Sequence, residues 1–225
     1  MSIGPNPGVT GILKVQEAII PGNLALWGAN QAIDRILEGR PWNGATPEEI
    51  RAAAIQRVQR AQRIGTLVHE QIALILAGGT PTPTEETAPY IYAYSSFLAA
   101  ERPRFVAVEK RVINRRARYG GTLDFMTDRA IGDVKTGKPK LTHRLQLAGY
   151  LAAEGFGGTI DQYHRYWWEP DEAIEPLPRV REGWILYLRP EGYELVRHTI
   201  TAADKRHFLA LVKAYHRIRA WENGQ

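Results

Sequence analysis

The chain has 225 residues, a formal net charge of +5 and a pI near 9.5, and 44% of its residues are hydrophobic. This composition excludes a wholly disordered protein, and the absence of cysteine excludes disulfides, thiolate zinc sites, iron–sulfur clusters and a cysteine nucleophile. The excess of Lys and Arg favours a polyanionic partner, and any metal must bind carboxylates, imidazoles or backbone oxygens.

The length suits one domain. We expect an N-terminal helical extension over residues 1–50, a core over residues 51–200 and a C-terminal helix over residues 201–225. No apolar run reaches the ~18 residues of a membrane span, and the N-terminus lacks the basic-then-apolar order of a secretory signal. We therefore expect no membrane partner and a cytoplasmic location.

The N-terminal part is predicted to be helical after a Gly- and Pro-rich opening. Thr10 can cap a short helix to residue 15, and Asn23 can cap a second helix to residue 37. Thr46, Pro47 and Glu49 then form a capping box at the start of a long helix. Its apolar residues, three or four positions apart, are Ile55, Val58, Ala61, Ile64, Val68, Ile72 and Ile75.

The long helix should end at a Gly-Gly pair, and a Pro-containing loop should lead to another helix over residues 85–100. From residue 105 the apolar period shortens towards two, which predicts strands. The remaining elements are predicted as strands 105–113, 119–126 and 130–135, a helix 141–153, a strand 163–168, a loop 169–179, a hairpin of strands 184–188 and 193–200, and a helix from a Thr201 cap to residue 221. This order indicates an α/β fold with a mixed sheet.

The residues with the clearest chemistry lie on the second and third of these strands and on the helix that follows. Asp133 and Lys135 are two residues apart on a strand and therefore project from one face. A tight turn joins this strand to the one before it, so that Asp124 can lie beside Asp133. Two carboxylates meeting there form a site for a hard cation such as Mg²⁺. Gln146 and Tyr150, four residues apart on a helix, can close over the same site.

Such a site has the parts that phosphodiester hydrolysis requires. A divalent ion offsets negative charge and acidifies a bound water, and a neighbouring lysine orients or deprotonates that water. An isolated Asp-x-Lys pair is usually a solvated surface pair, so this interpretation depends on the flanking segments. These segments are RIGTLVH (63–69), GGTLD (120–124), IGDVKTGK (131–138) and QLAGY (146–150).

With these four segments in this order, the chain resembles the PD-(D/E)XK nuclease superfamily, in its RecB-type and phage exonuclease branch. The stretches PGVTGIL (7–13) and WGAN (27–30) resemble the N-terminal region of phage members, so the similarity covers roughly residues 5–153. It implies a restriction-endonuclease-like core, with a central mixed sheet flanked by helices and N-terminal helical additions. Residues 1–225 would form a single nuclease domain with residues 51–200 as its catalytic core.

The resemblance also implies roles for individual residues. The implied metal ligands, for Mg²⁺ or Mn²⁺, are His69, Asp124, Asp133 and the carbonyl of Val134. The implied catalytic residues are Lys135, Asp124, Asp133, Gln146 and Tyr150, the last two positioning the lysine or the DNA. The predicted DNA contacts are Arg63, Arg115, Arg116, Arg118, Gln146 and Tyr150. The chain departs from the family by carrying Asp where Glu is common at position 133, and by lacking the four cysteines that hold an iron–sulfur cluster in several relatives.

Several alternatives remain open at this point. A histidine on an apolar helix face is usually a core residue, although the Gly-Thr-x-x-His setting favours His69 as a ligand. Glu109 points either at the site or towards Lys110 or an arginine, and arginine clusters are usually solvated faces. One of Trp167 and Trp168 is expected to be exposed, where packing is the more common role than base stacking.

The function predicted by this resemblance is that of a metal-dependent DNA exonuclease in phage or bacterial recombination, repair or degradation. The alternatives are a non-catalytic nucleic-acid-binding module of the same fold and a structure- or sequence-specific endonuclease. The expected partner besides DNA is a recombination or single-strand annealing protein. For a viral protein, the cytoplasm would be that of the host.

Overall fold

The centre of the fold is a mixed β-sheet of seven strands, seen in a computed structural model that describes residues 3–19 and 47–223. In chain order its strands are β2 (Phe105–Asn114), β3 (Tyr119–Thr127), β4 (Ala130–Lys135), β5 (Gly155–Phe156), β8 (Glu175–Pro176), β9 (Glu182–Arg189) and β10 (Gly192–Thr199). A smaller sheet consists of β1 (Ile3–Asn6), β6 (Thr159–Ile160) and β7 (Tyr166–Trp168). The helices are α1 (Val9–Ile19), α2 (Pro47–Leu76), α3 (Ala88–Glu101), α4 (Leu141–Leu151) and α5 (Ala202–Glu222).

The large sheet has the strand order β10-β9-β4-β3-β2-β5-β8. Strands β2, β3 and β4 form the predicted antiparallel meander, whereas β4 pairs in parallel with β9 from Ala130 opposite Glu182 to Lys135 opposite Tyr187. A parallel pair needs a long crossover, and α4 lies within the one between β4 and β9. The prediction of a mixed central sheet flanked by helices is therefore confirmed.

Two hydrophobic clusters cover the two faces of the sheet. Helices α1, α4 and α5 pack on the face that contains Leu123 and Ile131, and α2 and α3 pack on the face that contains Phe125 and Val134. Because strand residues alternate between faces, Asp133 lies on the α4 face of β4. No helix among the described residues is long and apolar enough to cross a membrane.

The predicted elements and the observed ones differ mainly at the N-terminal half. The predicted helix 23–37 and the cap Thr46 lie outside the described residues. In α2, Val68 and Ile72 are buried, but Ile55 is 50% exposed, so the predicted apolar stripe is buried only in the C-terminal half of the helix. Strand β1 forms within the predicted opening loop because it pairs with β7, a partner about 160 residues away that no local pattern indicates.

The glycine pair of the GGTLD segment allows aromatic rings to pack against β3. A Cβ on Gly121 would lie 2.7 Å from Cε1 of Tyr150 and 2.9 Å from Cγ2 of Val9. No side chain larger than hydrogen therefore fits beneath the Tyr150 ring, and the glycine sets how closely α4 approaches the sheet.

We predict that Gly121→Ala destabilises the fold by about 1–3 kcal/mol, because the added methyl group must displace the Tyr150 ring in a packed core. Gly11→Ala, in α1, is the matched control. Apart from its chain neighbours and the backbone of α1, no atom of the described residues lies within 4 Å of the point where a Cβ on Gly11 would stand. This variant should therefore be neutral or stabilise by up to about 1 kcal/mol. Urea unfolding of both variants measures the difference. Equal midpoints for the two variants would contradict the packing argument.

Candidate metal-binding and catalytic site

Asp124 lies where the pairing of β3 with β4 ends. The last ladder pair towards the end of β4 is Phe125 with Gly132. Just beyond it, the backbone N–H of Val134 donates a hydrogen bond of 2.6 Å to Asp124 Oδ2. The Asp124 carboxylate thus takes the place of a backbone acceptor for β4. This hydrogen bond holds the carboxylate in the gap between β3 and β4, at the point where their backbone pairing ends.

Three potential metal ligands from three elements meet at this gap. His69 on α2, Glu109 on β2 and Asp124 on β3 place one ligand atom each within 4.8 Å of the others. Helix α2 can approach because Gly65 has no side chain, and a Cβ there would lie 3.2 Å from Thr136 Oγ1. Since His69 follows Gly65 by one helical turn, its Nδ1 comes within 3.5 Å of Asp124 Oδ2. His69 thus lies beside Asp124, as the ligand prediction requires.

Glu109 belongs to this cluster, which answers a question that the sequence left open. It has not paired with Lys110, whose ammonium lies 2.5 Å from Glu175 Oε2. The φ angle of Glu109 is +46°, in a region that non-glycine residues rarely occupy and that persists only where the surroundings impose it. Partial burial raises the pKa of Glu109 from 4.5 to about 7, and the neighbouring Asp124 carboxylate adds to the rise.

Asp133 projects from the face of β4 that α4 covers. Its side chain is 1% exposed, one oxygen contacts the ammonium of Lys135, and the other accepts a 2.8 Å hydrogen bond from Gln146 Nε2. Gln146 Nε2 also donates to the hydroxyl of Tyr150 at 2.9 Å. The prediction that Asp133 and Lys135 share a strand face is confirmed, and Gln146 acts on the lysine through Asp133.

Gln146 and Tyr150 were predicted either to position the lysine or to contact DNA, and their surroundings favour the first role. Both side chains lie inside the protein, with exposures of 7% and 2%, and they face Asp133. Their contacts would let them position the Asp133–Lys135 pair, whereas their burial keeps them away from the surface that a DNA contact requires. Asp133 itself lies outside the cluster of His69, Glu109 and Asp124, so its role as a direct metal ligand stays a prediction. The same holds for the carbonyl of Val134.

Lys135 carries the positive charge next to Asp133. Burial alone would lower the pKa of Lys135, but the Asp133 and Asp124 carboxylates outweigh it and raise the pKa above its usual value. On α4, burial and the charge of Lys135 lower the pKa of His143 to about 4. The ammonium is therefore protonated at neutral pH and the imidazole is neutral.

A cleft of about 1180 Å³ opens over these groups. Its wall contains His69, Glu109 and Lys135, so that both the ligand cluster and the lysine can be reached from solvent. Three further cationic side chains line the cleft, from α2 and from the segment before α4: Arg57, Arg60 and Lys140. Of the α2 arginines, the sequence predicted a DNA contact only for Arg63, because a helical period does not show which neighbour the polar face of a helix meets.

The arginines predicted to contact DNA lie apart from the cleft or have other partners. Arg63, together with Arg60, forms an ion pair with Glu86, with 2.8 Å between Arg63 Nη2 and Glu86 Oε2. Arg115 forms an ion pair with Glu154 at 3.1 Å and donates to carbonyls of the 169–174 segment. Arg116 and Arg118 are exposed, but Arg118 precedes Asp124 by six strand residues, roughly 20 Å. A DNA contact by the arginines at the turn between β2 and β3 stays a prediction, and it would involve a part of the DNA that lies outside the cleft.

The ligand cluster suits a divalent cation by its chemistry. It offers two carboxylates and one imidazole, a donor set that Mg²⁺ and Mn²⁺ accept. The two acids sit close enough that Asp124 raises the pKa of Glu109, so a cation between them would relieve the repulsion. The residues present therefore fit a divalent metal ion.

The comparisons with known proteins find only a remote likeness. No family model and no curated protein matches the chain. A crystal structure of an alkaline exonuclease from Laribacter hongkongensis aligns over 68% of this chain and 84% of that one, with 14% identity and a TM-score of 0.35. The same exonuclease in complex with dAMP aligns over 69% and 83%, with 12% identity and a TM-score of 0.33. A likeness this remote assigns neither activity nor substrate, so the chemistry of the site has to carry both.

The raised pKa of Glu109 makes a prediction about stability without metal. The unfolded chain ionises this acid near pH 4.5, whereas the folded protein ionises it near pH 7, so the folded state binds more protons between these values. Its contribution therefore lowers the free energy of unfolding as the pH rises from about 4.5 to about 7. Glu109→Gln removes this contribution.

The variant should match the parent in stability at pH 4 and exceed it at pH 8, measured as urea midpoints in the presence of chelator. Glu191→Gln, at the exposed turn between β9 and β10, is the matched control and should change neither midpoint. A Glu109→Gln protein that is less stable than the parent at pH 8 would show that the pKa of this acid is not raised in the folded protein.

Proposed function

We propose that this chain is a Mg²⁺- or Mn²⁺-dependent exonuclease that hydrolyses phosphodiester bonds in DNA. The observation that carries the proposal is the cluster of His69, Glu109 and Asp124, which reaches the same cleft as Lys135. The buried carboxylate of Asp133 holds this lysine from beneath, and Arg57 and Arg60 also line the cleft. A module that only binds nucleic acid has no need of clustered acids facing phosphate. The preference for an exonuclease over an endonuclease rests on the upstream histidine and the Gln-x-x-x-Tyr helix of the sequence.

His69, Glu109 and Asp124 would hold the metal ion. When bound, the ion supplies a charge that offsets the negative phosphate and acidifies a water. The three side chains come from α2, β2 and β3, so the geometry depends on packing of α2 against the sheet at Gly65. Zinc should support activity poorly, because the ligand set is rich in oxygen.

Lys135 would act as a fixed positive charge. Because the neighbouring carboxylates raise its pKa, the ammonium is protonated at neutral pH and can donate to a phosphoryl oxygen on which negative charge develops. Asp133 holds the ammonium, and Gln146 with Tyr150 holds Asp133. This chain of contacts keeps the lysine in place before substrate arrives, which lowers the cost of reorganisation during the reaction.

The phosphate backbone would enter along α2. Arg57 and Arg60 line the cleft on this side, and Lys140 lines it near the start of α4. Arg60 shares Glu86 with Arg63, so a phosphate there would compete with this exposed ion pair. Each phosphate neutralised by these side chains releases counterions, so DNA affinity should fall steeply with salt concentration. The cationic lining thus supports a polyanionic strand as the occupant of the cleft.

We predict that Lys135→Ala and Asp124→Asn lose cleavage for different reasons. Lys135→Ala removes a charge that stabilises the transition state, so cleavage should fall by about 10²–10⁴-fold while Mn²⁺ still binds. Asp124→Asn removes a ligand and should lose Mn²⁺ binding in calorimetry as well. Asp128→Asn, in the exposed turn between β3 and β4, is the control and should retain both properties. If Lys135→Ala cleaves within a few-fold of the parent, the lysine is only a structural partner of Asp133.

A second prediction distinguishes attack at ends from attack inside the strand. With Mg²⁺ or Mn²⁺, the protein should shorten an end-labelled linear duplex and leave a covalently closed circle intact. Gel electrophoresis of both substrates in the same reaction measures this. Rapid nicking or linearisation of the circle would favour an endonuclease.

A further inference from the structure

The turn between β6 and β7, residues 161–165, is built around one carboxylate. Asp161 accepts hydrogen bonds from the backbone N–H groups of Tyr163 and Arg165 at 2.9 and 3.0 Å, and from Arg165 Nε at 2.7 Å. The indole N–H of Trp167 lies 3.3 Å from the same carboxylate. Two backbone hydrogen bonds, from Asp161 to Arg165 and from His164 to Asp161, also close the turn. These contacts fix its conformation.

This turn exposes an aromatic ring. Tyr163 is 67% exposed, and the guanidinium of Arg165 lies 4.9 Å from its ring centroid. The next residue, His164, has a φ angle of +56°, which a non-glycine residue adopts only when its surroundings impose it. A rigid turn with a strained residue, presenting a large ring to solvent, is not explained by packing, since the ring contributes little to the core.

The turn stands beside the cleft. His164 lines the cleft together with His69 and Glu109 of the ligand cluster. The smaller sheet holds the turn there: β1 pairs with β7, and Asn6 Nδ2 donates to the Tyr166 carbonyl at 3.2 Å. Tyr163 is therefore one residue away from a wall of the site, on a support that does not depend on substrate.

We propose that Tyr163 is a stacking platform for a nucleobase of the DNA strand whose phosphate enters the cleft. The inference rests on the proposed nuclease function and adds the group that holds a base. Base stacking on an aromatic ring needs no particular sequence, because every base has a π face. A cation beneath the ring and polar neighbours in Gln162 and His164 favour a nucleotide over an apolar protein segment.

For Trp167 and Trp168 the sequence had favoured packing over base stacking. Trp168 is 2% exposed, and the indole N–H of Trp167 is directed at Asp161 within the turn. Trp167 therefore supports the turn, Trp168 packs with Ile113 and Tyr166, and the strongly exposed ring belongs to Tyr163.

The test is binding of a fluorescently labelled single-stranded oligonucleotide of about 12 nucleotides, in Ca²⁺ and without turnover. Tyr163→Ala should bind about 5- to 100-fold more weakly than the parent, and Tyr163→Phe should bind like the parent because the ring is kept. Tyr92→Ala is the matched control: this tyrosine is also exposed, at 70%, but lies on α3 and does not line the cleft. Its affinity should be unchanged. Thermal unfolding of each variant verifies that it folds.

A set of oligonucleotides with one abasic site at successive positions separates stacking from other contacts. The parent should lose affinity at one position, and Tyr163→Ala should no longer respond to that position. Binding of Tyr163→Ala within twofold of the parent, or an equal loss on intact and abasic strands, would overturn the platform.

The same experiment separates this proposal from the nuclease proposal. A parent that binds with the abasic pattern but cleaves no DNA would leave the platform standing and overturn the nuclease. A parent that cleaves DNA while Tyr163→Ala binds normally would overturn the platform alone. A parent that binds no DNA would overturn both.

Discussion

The buried carboxylate of Asp133 is the constraint on which the site depends. Burial raises the pKa of Asp133, because a carboxylate with 1% exposure is costly to ionise unless charge and hydrogen bonds compensate it. Lys135 and Gln146 provide that compensation. Compensation requires α4 to pack directly over β4, and the missing side chain at Gly121 allows this by admitting the Tyr150 ring. The position of the Lys135 ammonium therefore depends on the packing of α4 against the sheet.

The second feature of the site is an acid, Glu109, whose ionised form is disfavoured first by burial and then by the neighbouring Asp124 carboxylate. Asp124 fills the gap between β3 and β4 by accepting the Val134 N–H, and Glu109 is held beside it in a rare backbone conformation with a raised pKa. Acids brought together in this way reduce stability at neutral pH and create a place for a cation. Glu109 therefore makes an unfavourable contribution to stability at neutral pH, and it lies in the cluster for which metal binding is proposed.

Much of the fold followed from local patterns. The strands of the meander, helix α4 and the capped helix α5 were predicted within a few residues, because a period of two or of about 3.6 and a Thr-x-x-Asp cap are properties of short segments. The very short strands β1, β5, β6 and β8 were not predicted. Two to four residues carry no period, and these strands exist only because distant partners complete their hydrogen bonds.

The sequence by itself determined that Asp133 and Lys135 share a face, that Asp124 lies on the neighbouring strand, and that Gln146 and Tyr150 lie on one side of a helix, since strand and helix geometry fix these relations over a few residues. Only the tertiary structure decided that Glu109 joins His69 and Asp124, that the arginines of α2 line the cleft, and that Tyr163 stands exposed beside it. These relations depend on a backbone angle outside the regular strand values, on the close approach of α2 at Gly65, and on pairing between β1 and β7. Each joins residues far apart in the chain, and only packing of the whole fold brings them together.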